Sequence, residues 1–181
     1  MNTHAMDTAL RQRAANVRLL ILDVDGVMTD GTLYLDHAGN ESKAFNARDG
    51  LGIKVLQRCG IEVAVISGRV SKPVAQRAAE LDIKHVYQGQ ERKLGAFLDL
   101  LEKTGLDPEQ TCFAGDDWID LPVMIRAGLA VAVADAEARV RAQAHWITQN
   151  KGGNGAVREI CNRILAAQDK EQAVVDALLA S

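Results

Sequence analysis

Two carboxylates, Asp23 and Asp25, stand two residues apart at the end of the apolar segment Val17–Leu22. They open the run Asp23-Val24-Asp25-Gly26-Val27-Met28-Thr29-Asp30-Gly31. In an extended chain, residues two apart point to the same side. The two acids therefore lie together where a buried strand would end. Close negative charges repel, so one must hold a proton or a cation must sit between them. A nucleophile, a proton donor and a ligand for Mg²⁺ can all come from this one turn. On its own, Asp-x-Asp-Gly reads more simply as a polar turn.

A second acidic run shifts that balance. Gly115-Asp116-Asp117-Trp118-Ile119-Asp120 carries more carboxylates than a turn needs. Asp116 is the candidate for a second metal-ligating side chain, with Asp117 and Asp120 behind it. Asp120 either orients the ligands or caps a nearby helix. Mg²⁺ prefers octahedral oxygen donors and keeps several waters, so two carboxylates, a carbonyl, a phosphate oxygen and waters would complete its shell. Ser67-Gly68 can offer a hydroxyl and backbone N–H groups to a phosphate; the plainer role for Ser67 is a helix N-cap. Lys93 is either a solvated surface lysine or a cation serving the acidic groups.

The elements that would position these groups follow from the apolar pattern. Strand candidates are Val17–Asp23, Ile61–Ser67, Lys84–Gln88, Thr111–Gly115, Leu129–Val133 and His145–Thr148. Between them lie helical stripes: Leu51, Val55 and Leu56; Val74, Ala78 and Leu81; Leu94, Phe97, Leu98 and Leu101; and Val157, Ile160, Ile164 and Leu165. Strands alternating with helices predict an α/β fold, a doubly wound, Rossmann-like parallel sheet. Ligands of such sheets bind beyond the carboxyl ends of the strands, at the switch point. Asp23, Asp25, Ser67, Arg69, Lys93, Asp116 and Asp117 would all collect at that rim.

One segment breaks the rhythm. Thr32–Asp36 alternates like a strand, His37–Asn40 is a turn cluster, and Glu41–Ala47 reads as a return strand. A β-hairpin over residues 32–47, inserted after the first strand, is expected. An isolated two-stranded hairpin is marginal in water, so Leu33, Tyr34 and Phe45 need a surface to pack on. Hairpins of other subunits are the preferred surface. Residues 1–181 are read as one domain, with an N-terminal extension over 1–16 and a C-terminal tail over 166–181 that forms a weak helix.

Bulk properties narrow the classes. A formal charge of −3 and a pI near 5.8 argue against nucleic acid as a partner. No apolar run approaches the roughly 20 residues needed to cross a bilayer, and residues 1–16 lack the apolar core of a secretory signal. Cys59, Cys112 and Cys161 are odd in number and sit in or beside apolar stretches, which reads as free thiols in a reducing compartment.

Taken in order, Asp23-x-Asp25-Gly26, Ser67, Lys93 and Gly115-Asp116-Asp117 with Asp120 resemble the motifs of the haloacid dehalogenase superfamily. A closer resemblance is to the 3-deoxy-D-manno-octulosonate 8-phosphate (KDO 8-phosphate) phosphatases. It is carried by Asp23–Gly31, Phe45-Asn46-Ala47-Arg48-Asp49-Gly50, Ile66-Ser67-Gly68-Arg69, Tyr87-Gln88-Gly89-Gln90, Gly115–Met124 and Gly152-Gly153-Asn154-Gly155-Ala156-Val157-Arg158-Glu159. The resemblance implies a capless Mg²⁺-dependent phosphatase. Asp23 is then the nucleophile, and Asp25 the acid and base whose carbonyl joins Asp23 and Asp116 on the metal. Ser67, Gly68 and Lys93 then hold the phosphoryl group. It further implies sugar contacts from Asp25, Asn46, Ala47, Arg48, Asp49, Gly50, Lys54, Arg69, Arg77 and Lys93. Lys54 stands where such phosphatases more often carry Arg, which loses the bidentate fork. Asp25 must keep a proton near neutral pH, so burial or carboxylate neighbours are expected around it. The resemblance also implies a cytoplasmic homotetramer that acts in lipopolysaccharide synthesis, with the hairpins packed together.

Two rivals are set against this reading. A phosphatase for another acidic sugar phosphate, such as a nonulosonate 9-phosphate, would share the same catalytic motifs. A receiver-type signalling domain also gathers acids, a hydroxyl and a Lys at one rim, but carries its phospho-acceptor Asp after the third strand. Here that place is taken by Tyr87-Gln88-Gly89.

Overall fold

The computed structural model describes residues 8–180, without the side chain at 178. Six parallel strands form the main sheet: β1 Leu19–Leu22, β4 Glu62–Ile66, β5 His85–Tyr87, β6 Thr111–Gly115, β7 Leu129–Ala132 and β8 Trp146–Ile147. Their spatial order is β5-β4-β1-β6-β7-β8. The chain steps outward from β1 through β4 to β5, then returns to the other side of β1 and runs outward again. The two neighbours of β1 thus belong to crossovers of opposite direction, and this reversal opens the crevice that binds ligands in doubly wound sheets.

All four residues of β1 are fully buried. Burying each such aliphatic side chain contributes about 1.5–3 kcal/mol, so the strand that ends in Asp23 is firmly held. Helices α1 Thr8–Asn16, α2 Ala47–Arg58 and α7 Ala156–Ala167 pack together in one layer. Helices α4 Lys93–Thr104 and α5 Leu121–Met124 pack against each other. The remaining helices are α3 Lys72–Glu80, α6 Ala138–Gln143 and α8 Glu171–Leu179. The tail thus does form a helix, and the N-terminal extension contributes α1. Among the described residues, no helix is long and apolar enough to cross a membrane.

The stripes on α3 and α7 are buried as their spacing predicts. Two others need correction. Leu51 and Leu98 face solvent, and Ile53 and Leu100 take their places in the core. Cys112 and Cys161 are buried free thiols and Cys59 is half-buried. Burial pushes the thiols of Cys112 and Cys161 up, which leaves them poor nucleophiles.

The hairpin is shorter than its sequence suggests. Only Tyr34–Leu35 (β2) and Glu41–Ser42 (β3) pair, antiparallel. Its turn is held by Asp36, whose Oδ1 accepts the N–H groups of Ala38 and Asn40, each at 2.8 Å. Leu33, Tyr34 and Leu35 remain 45%, 47% and 60% exposed. Phe45 departs from the expected partnership with another subunit. It packs on the core of its own chain, beneath the Arg77 guanidinium at 5.9 Å from the ring centre.

Candidate active site

Register places the acidic groups side by side. Leu22 pairs with Val65 on one flank and with Ala114 on the other, so β1, β4 and β6 end level. Asp23 leaves β1 with its N–H on the Ala114 carbonyl at 3.0 Å. The chain then turns tightly: the Val24 carbonyl accepts N–H groups from Val27, Met28 and Thr29 at 3.2, 2.9 and 3.0 Å. Gly26 is required at this turn for two reasons. Its φ is +95°, and a Cβ there would lie 2.0 Å from Asp116 Oδ2. The loop at 152–155 packs backbone against backbone on the same turn: a Cβ on Gly152 would lie 1.7 Å from the Gly26 oxygen.

Lys93, the first residue of α4, is fully buried among these acids. Its Nζ lies 2.6 Å from Asp23 Oδ1 and 2.7 Å from Asp120 Oδ1. Asp120 Oδ2 accepts the N–H of Asp116 at 3.0 Å and of Asp117 at 3.3 Å. Asp120 closes the capping box of the short 3₁₀ turn Trp118–Asp120, and in doing so it fixes the backbone that carries Asp116. Asp117 belongs to the same turn, its Oδ1 accepting the Trp118 N–H at 2.7 Å.

One carboxylate oxygen from each of Asp23, Asp116 and Asp120 lies within 4.8 Å of the others. A single ammonium cannot neutralise three such acids. Burial, then the charge of Asp120, pushes the Asp23 carboxyl up to about 6, with Lys93 pulling the other way. Burial, then Asp23 and Asp120, pushes Asp116 up to about 8. Burial opposes the charge on Lys93, but Asp23 and Asp120 outweigh it and its pKa rises. Asp116 Oδ1 is buried without a hydrogen-bond partner among the described residues. An orphan oxygen, excess negative charge and purely oxygen donors fit Mg²⁺. Both Asp120 oxygens are already engaged, so Asp23 and Asp116 are the carboxylates that would hold such an ion.

A pH dependence follows. A carboxyl raised in the folded state favours the protonated native form. In metal-free protein these two acids lose stability as pH climbs from the unfolded value near 4 through about 6 for Asp23 and about 8 for Asp116. Mg²⁺ held by the ionised pair would oppose that loss. Scanning fluorimetry should show Mg²⁺ raising the melting midpoint by several degrees near pH ~8.5 and by little near pH ~5. Equal shifts at both would contradict the assignment.

The other residues singled out from sequence divide into those at the rim and those held elsewhere. Ser67 is buried at the end of β4, and its Oγ accepts the Arg69 N–H at 3.4 Å. It is not an N-cap, since α3 begins after Ser71. Gly68 faces Ile119 across the mouth. Arg69 reaches Glu41 at 3.4 Å and Asp25 at 3.9 Å. Asn46 caps α2, accepting the Arg48 N–H at 2.8 Å, with Ala47 as the first helical residue. Arg77 passes so close to Gly50 that a Cβ there would lie 2.3 Å from its Nη2.

Three expectations are corrected. The Asp49 carboxylate does not face the rim: it accepts the N–H groups of Arg158 at 2.8 Å and Gly155 at 3.3 Å, at the start of α7. Lys54 lies outside the rim of its own chain, with its Nζ 2.7 Å from Asp82 beside the N-terminal ends of β4 and β5. Asp25 is less buried than expected, its side chain 21% exposed. Cations face it: Arg69, and Lys43, whose Nζ donates to Asp25 Oδ1. Lys43 and Glu41 had no place in the sequence-based site. The available signal was their spacing, which puts both on the same face of a strand.

Comparison with known proteins agrees with this geometry. Residues 85–160 match the family model of the haloacid dehalogenase-like hydrolases. The 3-deoxy-D-manno-octulosonate 8-phosphate phosphatase KdsC of Yersinia pestis is 55% identical over 159 residues, covering 88% of this chain and 85% of that one. The KdsC of Escherichia coli K12 is 54% identical over 158 residues, covering 87% and 84%. A crystal structure of the Moraxella catarrhalis phosphatase, in complex with magnesium ion, phosphate ion and KDO, superposes with a TM-score of 0.91 at 40% identity, covering 93% of this chain and 97% of that one. The fold and the acidic rim are those of a haloacid dehalogenase-like hydrolase, and a receiver domain is set aside. Within that class, the chain belongs to the family of 3-deoxy-D-manno-octulosonate 8-phosphate phosphatases.

Proposed function

We propose that this protein is a Mg²⁺-dependent phosphatase that hydrolyses KDO 8-phosphate to the free sugar acid and inorganic phosphate. The observation that carries the chemistry is the convergence of Asp23, Lys93 and Asp116, with Asp116 Oδ1 left unpartnered among the described residues. The substrate rests on the relatives, whose names and bound KDO specify an eight-carbon acidic sugar.

In the first step a free oxygen of Asp23 attacks phosphorus in line with the departing sugar oxygen. Asp25 gives that oxygen its proton, and an aspartyl-phosphate remains on Asp23. In the second step Asp25 takes a proton from water, which attacks the acyl phosphate and restores Asp23. Splitting the displacement in two lowers each barrier. Lys93, the Ser67 hydroxyl and the N–H of Gly68 fix the phosphoryl oxygens, and such positioning and charge stabilisation account for most of phosphoryl-transfer catalysis. Asp23, Asp116 and the Asp25 carbonyl would hold Mg²⁺, which when bound would supply positive charge against the transferring group. Asn46, Arg48, Arg69 and Arg77 are the side chains assigned to the sugar acid on this reading, with Arg able to grip its carboxylate by a two-point fork.

The test is Mg²⁺-dependent phosphate release across a panel of sugar phosphates. KDO 8-phosphate should give the highest kcat/KM, and preference for a nonulosonate 9-phosphate would replace the substrate while leaving the chemistry.

The reading extends to assembly and place: a homotetramer, working in the cytoplasm on lipopolysaccharide precursors. The exposed apolar side chains of Leu33, Tyr34 and Leu35 support association through the hairpin. Light scattering should give the mass of four chains, and Tyr34→Asp with Leu35→Asp should dissociate them. A stable monomer at micromolar concentration of the unaltered protein would contradict it.

A further inference from the structure

The hairpin does more than present apolar residues. Glu41, in the return strand, and Lys43, just past its end, both turn toward the catalytic loop. The Lys43 side chain is only 1% exposed. Burying an ammonium is costly unless it is paired and hydrogen-bonded. Lys43 is paired twice, to Asp25 Oδ1 and to Glu41 Oε1, the latter at 3.2 Å. Glu41 is in turn held by Arg69 at 3.4 Å. The tight turn after Asp23 fixes the Asp25 backbone but not its carboxylate, which can still rotate about two side-chain bonds. Arg69 stands 3.9 Å away, too far for a hydrogen bond. Among the described residues, the hydrogen bond that fixes the direction of this carboxylate comes from Lys43.

On the functional reading given above, we propose that Lys43 is a positioning residue for Asp25. The hairpin delivers an ammonium that aims the proton-transfer carboxylate at the sugar oxygen, and Glu41 holds that ammonium in place. The inserted segment is then part of the active site of its own chain, whatever it does between chains. The proposal assigns Lys43 no proton transfer; its effect is on where the Asp25 oxygens lie.

Leaving-group dependence separates positioning from general damage. Expulsion of an alkyl sugar oxygen needs a proton from Asp25, whereas p-nitrophenolate leaves readily without one. Misplacing a catalytic group by about 1 Å can cost on the order of 100-fold. Lys43→Met should therefore lower kcat on KDO 8-phosphate by roughly 30- to 100-fold and cut p-nitrophenyl phosphate hydrolysis at least tenfold less. Lys43→Arg, which keeps the charge and a donor, should recover most of the loss. Elution volume and melting midpoint report whether fold and assembly survive. If Lys43→Met does not fold, Glu41→Gln, which loosens the same ammonium, should show the same selective loss in weaker form. Equal losses on the two substrates, or no loss on the sugar phosphate, would overturn the proposal. If the unaltered protein hydrolyses p-nitrophenyl phosphate but not KDO 8-phosphate, the substrate reading fails. The best alkyl phosphate of the panel then serves as the test substrate for Lys43.

Discussion

Asp23→Asn should reduce phosphate release from KDO 8-phosphate on the order of 10⁴-fold or more, while the protein stays folded. An amide oxygen at this position cannot attack phosphorus to give a stable acyl phosphate, so the two-step route closes entirely. The fold should survive because Asp23 contributes unfavourable charge to the native state. It is buried, and burial and the charge of Asp120 both push its carboxyl up. Replacing it with a neutral isostere removes one of three crowded acids and leaves Lys93 paired to Asp120 at 2.7 Å. The melting midpoint of the metal-free variant should therefore match or exceed that of the unaltered protein near neutral pH. Its response to Mg²⁺ should weaken, since one of the two carboxylates placed on the ion is gone. Asp25→Asn should behave differently, losing about 10²- to 10⁴-fold and losing less with a good leaving group. Residual turnover above a few per cent in purified Asp23→Asn, with the leaving-group pattern of the unaltered enzyme, would show that another group attacks phosphorus.

Much of this site was legible because its residues sit at ends of elements that sequence places well. β6 has the bounds that its apolar run predicts, Thr111–Gly115, and β1 is the core of the segment before Asp23. Once strands alternate with helices, topology alone carries Asp23, Ser67 and Asp116 to one rim. What sequence could not supply was the partner of each charge. Asp49 lies in a stretch rich in polar groups, yet its carboxylate meets N–H groups more than a hundred residues later at the start of α7. Lys54 is drawn to Asp82 on the next crossover. Lys43 looks like a solvated strand lysine until the hairpin folds back over the catalytic loop. Leu51 fits a helical stripe by spacing, but the layer it would face is filled by Ile53 and by the close approach of Gly52 to α7. Each miss is a long-range pairing, which local periodicity does not encode.

The same crowding of charge makes Lys93 the position where stability and activity fall together. Its ammonium is fully buried and touches two carboxylates, at 2.6 and 2.7 Å. Lys93→Met fills much of the same volume but leaves Asp23 and Asp120 without their cation. Removing one member of a buried ion pair costs about 3–5 kcal/mol, and here a single lysine serves two acids. Urea unfolding of the metal-free variant near pH ~8 should show a loss of about that size. The loss should shrink as pH falls. Burial already raises the Asp23 carboxyl to about 6, and without the ammonium it favours its proton more strongly, so its penalty is full above the folded pKa and fades as pH falls from there toward the unfolded value near 4. Saturating Mg²⁺ should restore part of the stability, because it supplies the missing positive charge to Asp23 and Asp116. Activity should not return with it. Lys93 also holds a phosphoryl oxygen on the proposed reading, and loss of one such preorganised donor costs about 10²- to 10³-fold in kcat. A variant that is as stable as the unaltered protein near pH ~8 without metal would mean that Lys93 does not balance buried negative charge at this site. The electrostatic case for a divalent ion between Asp23 and Asp116 would then lose its basis.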